Sequence, residues 1–170
     1  DKGPAFIYNV PGRTGQDLTP DIIEVLAKHD NFIGVKECAG NDRISYYENK
    51  GIACWSGNDD ESFAGRHQHN SHGVISVTSN VVPGLMRALM DENKPELNTN
   101  LQDLMKWLFI EPNPIGLNTV LMMSGAVQKT FRLPYQALTL EQRKEGFEIL
   151  STLNIKDIMG TELSLLDDKD

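Results

Sequence analysis

Four short runs rich in apolar and β-branched residues alternate with amphipathic segments, and this alternation constrains the fold more than any other feature. The runs are AFIYNV (5–10), NFIGVKE (31–37), GIACWSG (51–57) and GVISVTS (73–79). The segments after them are TPDIIEVLAKHD (19–30), NDRISYYENK (41–50), DDESFAGRHQHN (59–70) and VVPGLMRALMDEN (81–93). All four carry helical signals. Thr19 is placed to cap the first, with Pro20 at its first position and Asp21 in its first turn. Acids open the third, where they suit the positive end of a helix dipole, and Pro83 opens the fourth. Such βα alternation predicts parallel strands joined by right-handed crossovers.

From Pro95 the strand signals stop. Residues 95–110, 113–126 and 139–153 read as helices, FRLPYQAL (131–138) as an extended connector, and TELSLLDDKD (161–170) as an acidic, poorly ordered tail. A boundary near residue 94 follows, with a βα region over 1–94 and an all-helical region over 95–170. Four βα units alone would expose two sheet edges, and parallel strands need both faces covered. A complete βα barrel takes eight units and ~250 residues. The expected architecture is therefore α/β, half a barrel with a helical appendage. The opening DKGPAFIYNV has no initiator Met and enters a strand almost at once, which reads as a piece of a longer protein.

Composition removes several functions. A net charge of −8 and a pI near 5.0 leave no basic stripe for nucleic acid. No apolar run approaches the ~18 residues of a membrane span. Cys38 and Cys54 are too few for a disulfide framework and are not spaced as a zinc site, which fits a reducing compartment.

The strand ends carry the chemistry. They read YNVPGRTG, KECAG, SGNDDE and TSN, and parallel βα folds build their sites at the carboxyl ends of strands. Lys36 has two readings. Its stem can pack on apolar surface while its head reaches water. Alternatively it is an amine in a desolvated pocket, where burial disfavours the charged form and leaves a nucleophile for a ketone. Glu37 and Cys38 read as neighbours on other faces. Tyr8 is either bulk or a phenol able to relay protons beside a reacting carbon. Arg13, in a Pro-Gly turn, is either a solvated arginine or a planar fork for a carboxylate. The acids of SGNDDE have an explanation in helix capping and dipole effects, so no metal is expected there. Gly57 fits a close approach of backbone to ligand. His67 and His69 do not share a helix face; His69 and His72 sit at a helix end, and neither pair reads as a ligand set.

Taken together, YNVPGRTG, GVKECAG, WSGNDDE, GVISVTSN and EPNPIGLNT, in this order and spacing, resemble the dihydrodipicolinate synthase family, in wording closest to its plant form. The resemblance covers nearly the whole chain and thins after about residue 153. It implies the C-terminal half of a (β/α)8 TIM barrel, strands 5–8, followed by a helical domain, in an enzyme that is usually a homotetramer. It implies condensation of pyruvate with aspartate semialdehyde in lysine biosynthesis. Lys36 would form the Schiff base with pyruvate, Tyr8 would shuttle protons, and Arg13 would hold the semialdehyde carboxylate. Gly57 and Ile75 would line the pocket, with Asn58 and Asn113 facing the second substrate. Bacterial members commonly carry Asp where this chain has Asn58. No metal or organic cofactor is implied, because the lysine imine is the electron sink.

The resemblance also implies what these residues lack. A GTTGE-type threonine loop, a second tyrosine from across a subunit interface and the lysine feedback site belong to the family's other half. The chain alone is expected to be inactive. A plant-type enzyme implies a plastid location, and any other source a cytoplasmic one. Two rivals stand beside this reading. One is a sister pyruvate-dependent aldolase or lyase, such as an N-acetylneuraminate lyase, against which Arg13 argues. The other is a non-catalytic half-barrel.

Overall fold

The computed structural model describes residues 3–153 and 162–167. The first stretch is laid out as β1 (Ala5–Asn9), α1 (Pro11–Thr14), α2 (Pro20–Leu26), β2 (Phe32–Glu37), α3 (Asn41–Asn49), β3 (Cys54–Ser56) and α4 (Ser62–Gln68). The three strands form one parallel sheet in the order β1-β2-β3. Helical segments intervene between successive strands, as parallel pairing requires.

Strand alternation sorts the side chains onto two faces. Ile7, Val35 and Cys54 lie on the face that meets Ile23 of α2 and Ile44 and Tyr47 of α3. Ile52, Leu18, Ala27 and Phe32 complete this core. Each fully buried aliphatic side chain here contributes about 1.5–3 kcal/mol through removal from water. The opposite face carries Phe6, Tyr8, Lys36 and Trp55, and Phe6 packs on Trp55 with ring centroids 5.0 Å apart.

GVISVTS does not form the expected fourth strand. Val74 alone bridges Ser56 in the parallel sense, and Thr78–Asn80 turn as a 3-10 helix. The reason lies in the neighbours. β3 is only three residues long, so it offers little edge to pair with. The fully buried Ser71 hydroxyl donates to the Gly73 carbonyl at 2.7 Å and accepts from the Gly73 N–H at 3.2 Å, holding a local loop instead of a ladder. β3 is itself shorter than GIACWSG because Gly51 turns with φ of 72° and the Ile52 N–H returns to Tyr47 at the end of α3. The acids before α4 lie ahead of the helix, where the Ser62 N–H meets the Asp59 carbonyl at 3.2 Å.

The chain divides into two units, residues 1–76 with 90–93, and residues 77–89 with 94–170. The second contains most of α5 (Pro83–Asp91), then α6 (Pro95–Leu108), α7 (Ile115–Met123) and α8 (Leu140–Thr152). α6 buries Leu101, Leu104, Met105, Trp107 and Leu108. Gly146 lets α8 press against the Trp107 ring, since a Cβ there would lie 2.0 Å from it. The Trp107 Nε1–H donates to the Gln142 carbonyl at 2.8 Å. Thr139 and Gln142 start α8 with a reciprocal capping box. Residues 131–138 contain neither helix nor strand, as expected.

The expectation of a poorly ordered tail is corrected for residues 162–167. Leu166 is buried against Met122 and Met123, the Ser164 N–H donates to the Met123 carbonyl at 2.8 Å, and Arg143 donates to the Leu166 carbonyl at 2.6 Å. Two leucines among the acids supply the apolar area that holds the segment down. Thr161 and residues 168–170 of the expected tail lie outside the described residues.

Candidate functional site

Tyr8 and Lys36 are register partners at the carboxyl ends of β1 and β2. The Lys36 Nζ stands 4.2 Å from the centroid of the Tyr8 ring, within the range of a cation–π contact. Lys36 is half-buried and Tyr8 is 49% exposed, so the pair faces an accessible space. Loss of solvent is the first cause that raises the Tyr8 phenol above its ordinary range. The adjacent Cys38 raises it further and the Arg13 charge opposes. The phenol is therefore protonated at neutral pH and fit to pass a proton on.

Arg13 lies in α1, a single turn started by Pro11 and closed by Gly15 at φ of 68°, whose N–H returns to the Pro11 carbonyl at 2.9 Å. Its guanidinium is exposed, yet its charge acts on both Tyr8 and Cys38. Burial also pushes the Cys38 thiol up, against the pull of Lys36. The shift keeps the Cys38 thiol in its protonated form.

Gly57 follows β3 and donates its N–H to the Glu37 carbonyl at 2.8 Å. A Cβ at this position would fall 2.2 Å from the Cys38 Sγ and 3.0 Å from the Lys36 Cε. The absent side chain thus leaves room first for the Cys38 thiol and then for the lysine stem. Asn58 donates through Nδ2 to the Cys38 carbonyl at 3.3 Å and to Glu61 at 3.0 Å, which fixes its amide beside the end of β2. Ile75 is 42% exposed and donates its N–H to the Ser56 carbonyl at 2.9 Å, one chain beyond β3. Tyr8, Arg13, Lys36, Gly57, Asn58 and Ile75 therefore all belong to the first unit, on or just beyond the carboxyl ends of its strands. Asn113 belongs to the second, in the turn before α7, where its buried Oδ1 has no hydrogen-bond partner among the described residues.

A lysine and a tyrosine are thus paired across parallel strand ends, with a glycine beside the lysine stem. A profile of the Dihydrodipicolinate synthetase family matches residues 1–153. The chain belongs to this family. It is 52% identical over 170 residues to the chloroplastic 4-hydroxy-tetrahydrodipicolinate synthase of Nicotiana tabacum, covering 99% of this chain and 47% of that protein. To chloroplastic 4-hydroxy-tetrahydrodipicolinate synthase 1 of Arabidopsis thaliana it is 50% identical, with the same two coverages. Among solved structures, the dihydrodipicolinate synthase of Aquifex aeolicus matches with a TM-score of 0.81 and 32% identity, over 89% of this chain and 56% of that one. The chain spans about half the length of the curated relatives it matches.

Beside the residues that sequence pointed to, this dihydrodipicolinate synthetase family chain holds a polar cluster that it did not. Asn9 is 1% and Glu37 1% exposed, on the face opposite Tyr8 and Lys36. The Asn9 Nδ2 donates to both Glu37 carboxylate oxygens, at 2.9 and 3.2 Å, and to Asp17 at 2.9 Å. Arg43 closes an ion pair on Asp17. A signal for this was present: YN and KE place one polar residue directly after each candidate, and alternation sends both to the same far face.

Proposed function

We propose that this chain carries the lysine-bearing half of a (β/α)8 barrel within residues 1–94, with β1–β3 as three of its strands and the Val74 bridge at the place of the next, and residues 95–170 as a helical domain. On this reading it supplies the Schiff-base site that condenses pyruvate with aspartate semialdehyde to 4-hydroxy-tetrahydrodipicolinate. The observation that carries it is the Lys36 amine 4.2 Å over the Tyr8 ring, set by strand register at the carboxyl ends of parallel strands.

The Lys36 amine adds to the pyruvate ketone, and loss of water leaves an imine. The imine draws electrons from the neighbouring methyl group, which loses a proton through Tyr8. The resulting enamine forms a carbon–carbon bond to the semialdehyde carbon. The semialdehyde's own amine then displaces Lys36 as the ring closes, which returns the free lysine. Arg13 has the donor geometry to hold the semialdehyde carboxylate at the rim, and a sister lyase acting on an uncharged aldehyde would have no need of it. Gly57 and Ile75 line the pocket, and Asn58 faces the second substrate. The lysine serves as electron sink, so the chemistry calls for no metal or organic cofactor.

The family's threonine loop and second tyrosine have no counterpart among these 170 residues. Turnover therefore requires the other half of the barrel, in an assembly that is a homotetramer, and the names of the plant relatives point to the chloroplast. The test is reductive trapping with pyruvate and borohydride, followed by peptide mapping. One sample is the chain alone. The other is a chimera in which it replaces the matching segment of the tobacco relative. The expected result is an adduct on Lys36 in the chimera and none on the chain alone. An adduct on the isolated chain sinks the requirement for the other half. A folded chimera without an adduct on Lys36 sinks the Schiff-base reading.

A further inference from the structure

The Asn9–Glu37 pair is the register neighbour of Tyr8–Lys36, one residue further along the same ladder and on the opposite face. A carboxylate taken out of water costs free energy unless it is hydrogen-bonded. Glu37 is bonded on two sides. Oε1 accepts from the Asn9 amide at 2.9 Å and from the Ala39 N–H at 2.8 Å, which folds the chain back just after Cys38. The Glu37 main-chain carbonyl accepts from Gly57 at 2.8 Å, so the same residue also ties down the glycine that clears the Lys36 stem. Asn9 spends its other polar atom on the loop: Oδ1 accepts the Leu18 N–H at 3.0 Å. With Asp17 held by the Asn9 amide and by Arg43, both ends of the segment that contains Arg13 are attached to one buried side chain.

We infer that Asn9 and Glu37 form a buried clasp that positions the reactive groups, fixing Tyr8 against Lys36 and anchoring the loop that carries Arg13. This inference rests on the Schiff-base reading above. The two are positioning residues; neither side chain reaches the reacting face. The clasp acts at the point of smallest leverage, because a slip of one residue between β1 and β2 would separate both pairs together and exchange their faces. Removing either partner leaves the other buried without its hydrogen bond, and the strand ends relax to relieve it.

Amide exchange on the unaltered chain and trapping kinetics in the tobacco chimera test this separately. On the unaltered chain, the Leu18 and Ala39 amides are expected to exchange at least about tenfold more slowly than in an unstructured peptide, since each donates to the clasp. Exchange of both at unstructured rates overturns the clasp. In the chimera, Glu37→Gln keeps the oxygen that accepts from Asn9 and Ala39, and adduct formation stays within about threefold of the unaltered rate, whereas Glu37→Met and Asn9→Leu, which fill the space without hydrogen bonding, slow it by roughly tenfold to a hundredfold. Rescue by Gln but not by Met is a readout that packing alone would not produce. Equal rates for the Gln and Met variants overturn the positioning role. Should the Met variant fail to fold, a Gln variant slowed as far as the unfolded one does the same. A chimera that never forms an adduct overturns the Schiff-base reading and the positioning role with it, while amide exchange still judges the clasp.

Discussion

The two faces of the β1–β2 ladder are built from the same ten or so residues and obey opposite rules. On one, Phe6 and Tyr8 are 37% and 49% exposed and Lys36 is only half-buried. On the other, Asn9, Val35 and Glu37 are at most 1% exposed. The open face holds the groups able to react; the closed face holds the apolar contacts and satisfied polar atoms that keep the ladder in register. Reactivity needs access and geometry needs burial, and a strand supplies both because consecutive side chains point opposite ways. The difference teaches where to expect each kind of mutational damage: loss of reacting groups without loss of stability on one face, and loss of stability or of strand register on the other.

The most severe break falls on the open face. Lys36→Ala in the chimera abolishes the borohydride-trapped pyruvate adduct, while the thermal midpoint stays within a few degrees, as mass spectrometry and a melting curve will show. Tyr8→Phe keeps the ring over the amine but removes the proton carrier, and turnover falls by roughly 10²–10⁴-fold with little change in stability. Gly57→Ala tests the space between the faces. Its Cβ would collide with the Cys38 Sγ at 2.2 Å, so trapping slows by about tenfold, and Cys38→Ala in the same protein recovers part of the loss.

Smaller effects sharpen the comparison on the stability side. Val35→Ala on the closed face costs about 2 kcal/mol in urea unfolding, whereas Ile75→Ser on the exposed loop stays within about 0.5 kcal/mol. The last comparison is a pH slope. Burial pushes the Cys54 thiol and the Tyr47 phenol up to about 12. An unfolded chain releases these protons near about 8.5 and 10. Their contribution to stability is thus fully present below about pH 8.5 and is lost as pH climbs toward 12, because the unfolded state then binds fewer protons. The urea midpoint should fall across this window, and Tyr47→Phe should flatten the fall above about pH 10. A midpoint that ignores pH would contradict the buried placement of both groups.

Much of the open face was legible before any coordinates. Lys36 breaks an apolar run at a strand end, where parallel folds place their chemistry, whereas Tyr8 is one of four tyrosines and stands out only through the family resemblance. The closed face was harder. Asn9 and Glu37 read as ordinary neighbours, because a buried amide–carboxylate pair depends on which strands become adjacent, and that is a tertiary fact. GVISVTS shows the opposite failure. Its β-branched residues have the composition of a strand, yet a strand exists only where a ladder accepts it, and Ser71 holds the preceding backbone in a loop. Likewise the leucines of TELSLLDDKD were outweighed by its acids on paper, although Leu166 finds a place beside Met123.

The chain has two tryptophans, one in each unit. Trp55 is the register partner of Lys36 on the side away from Tyr8, with the His72 ring 4.9 Å from its own. Trp107 is 1% exposed inside the helices. Fluorescence therefore carries two separable channels. With Trp107 replaced by Phe, the chain's remaining emission comes from a chromophore one strand from the amine, and changes beside Lys36 can be followed optically in real time.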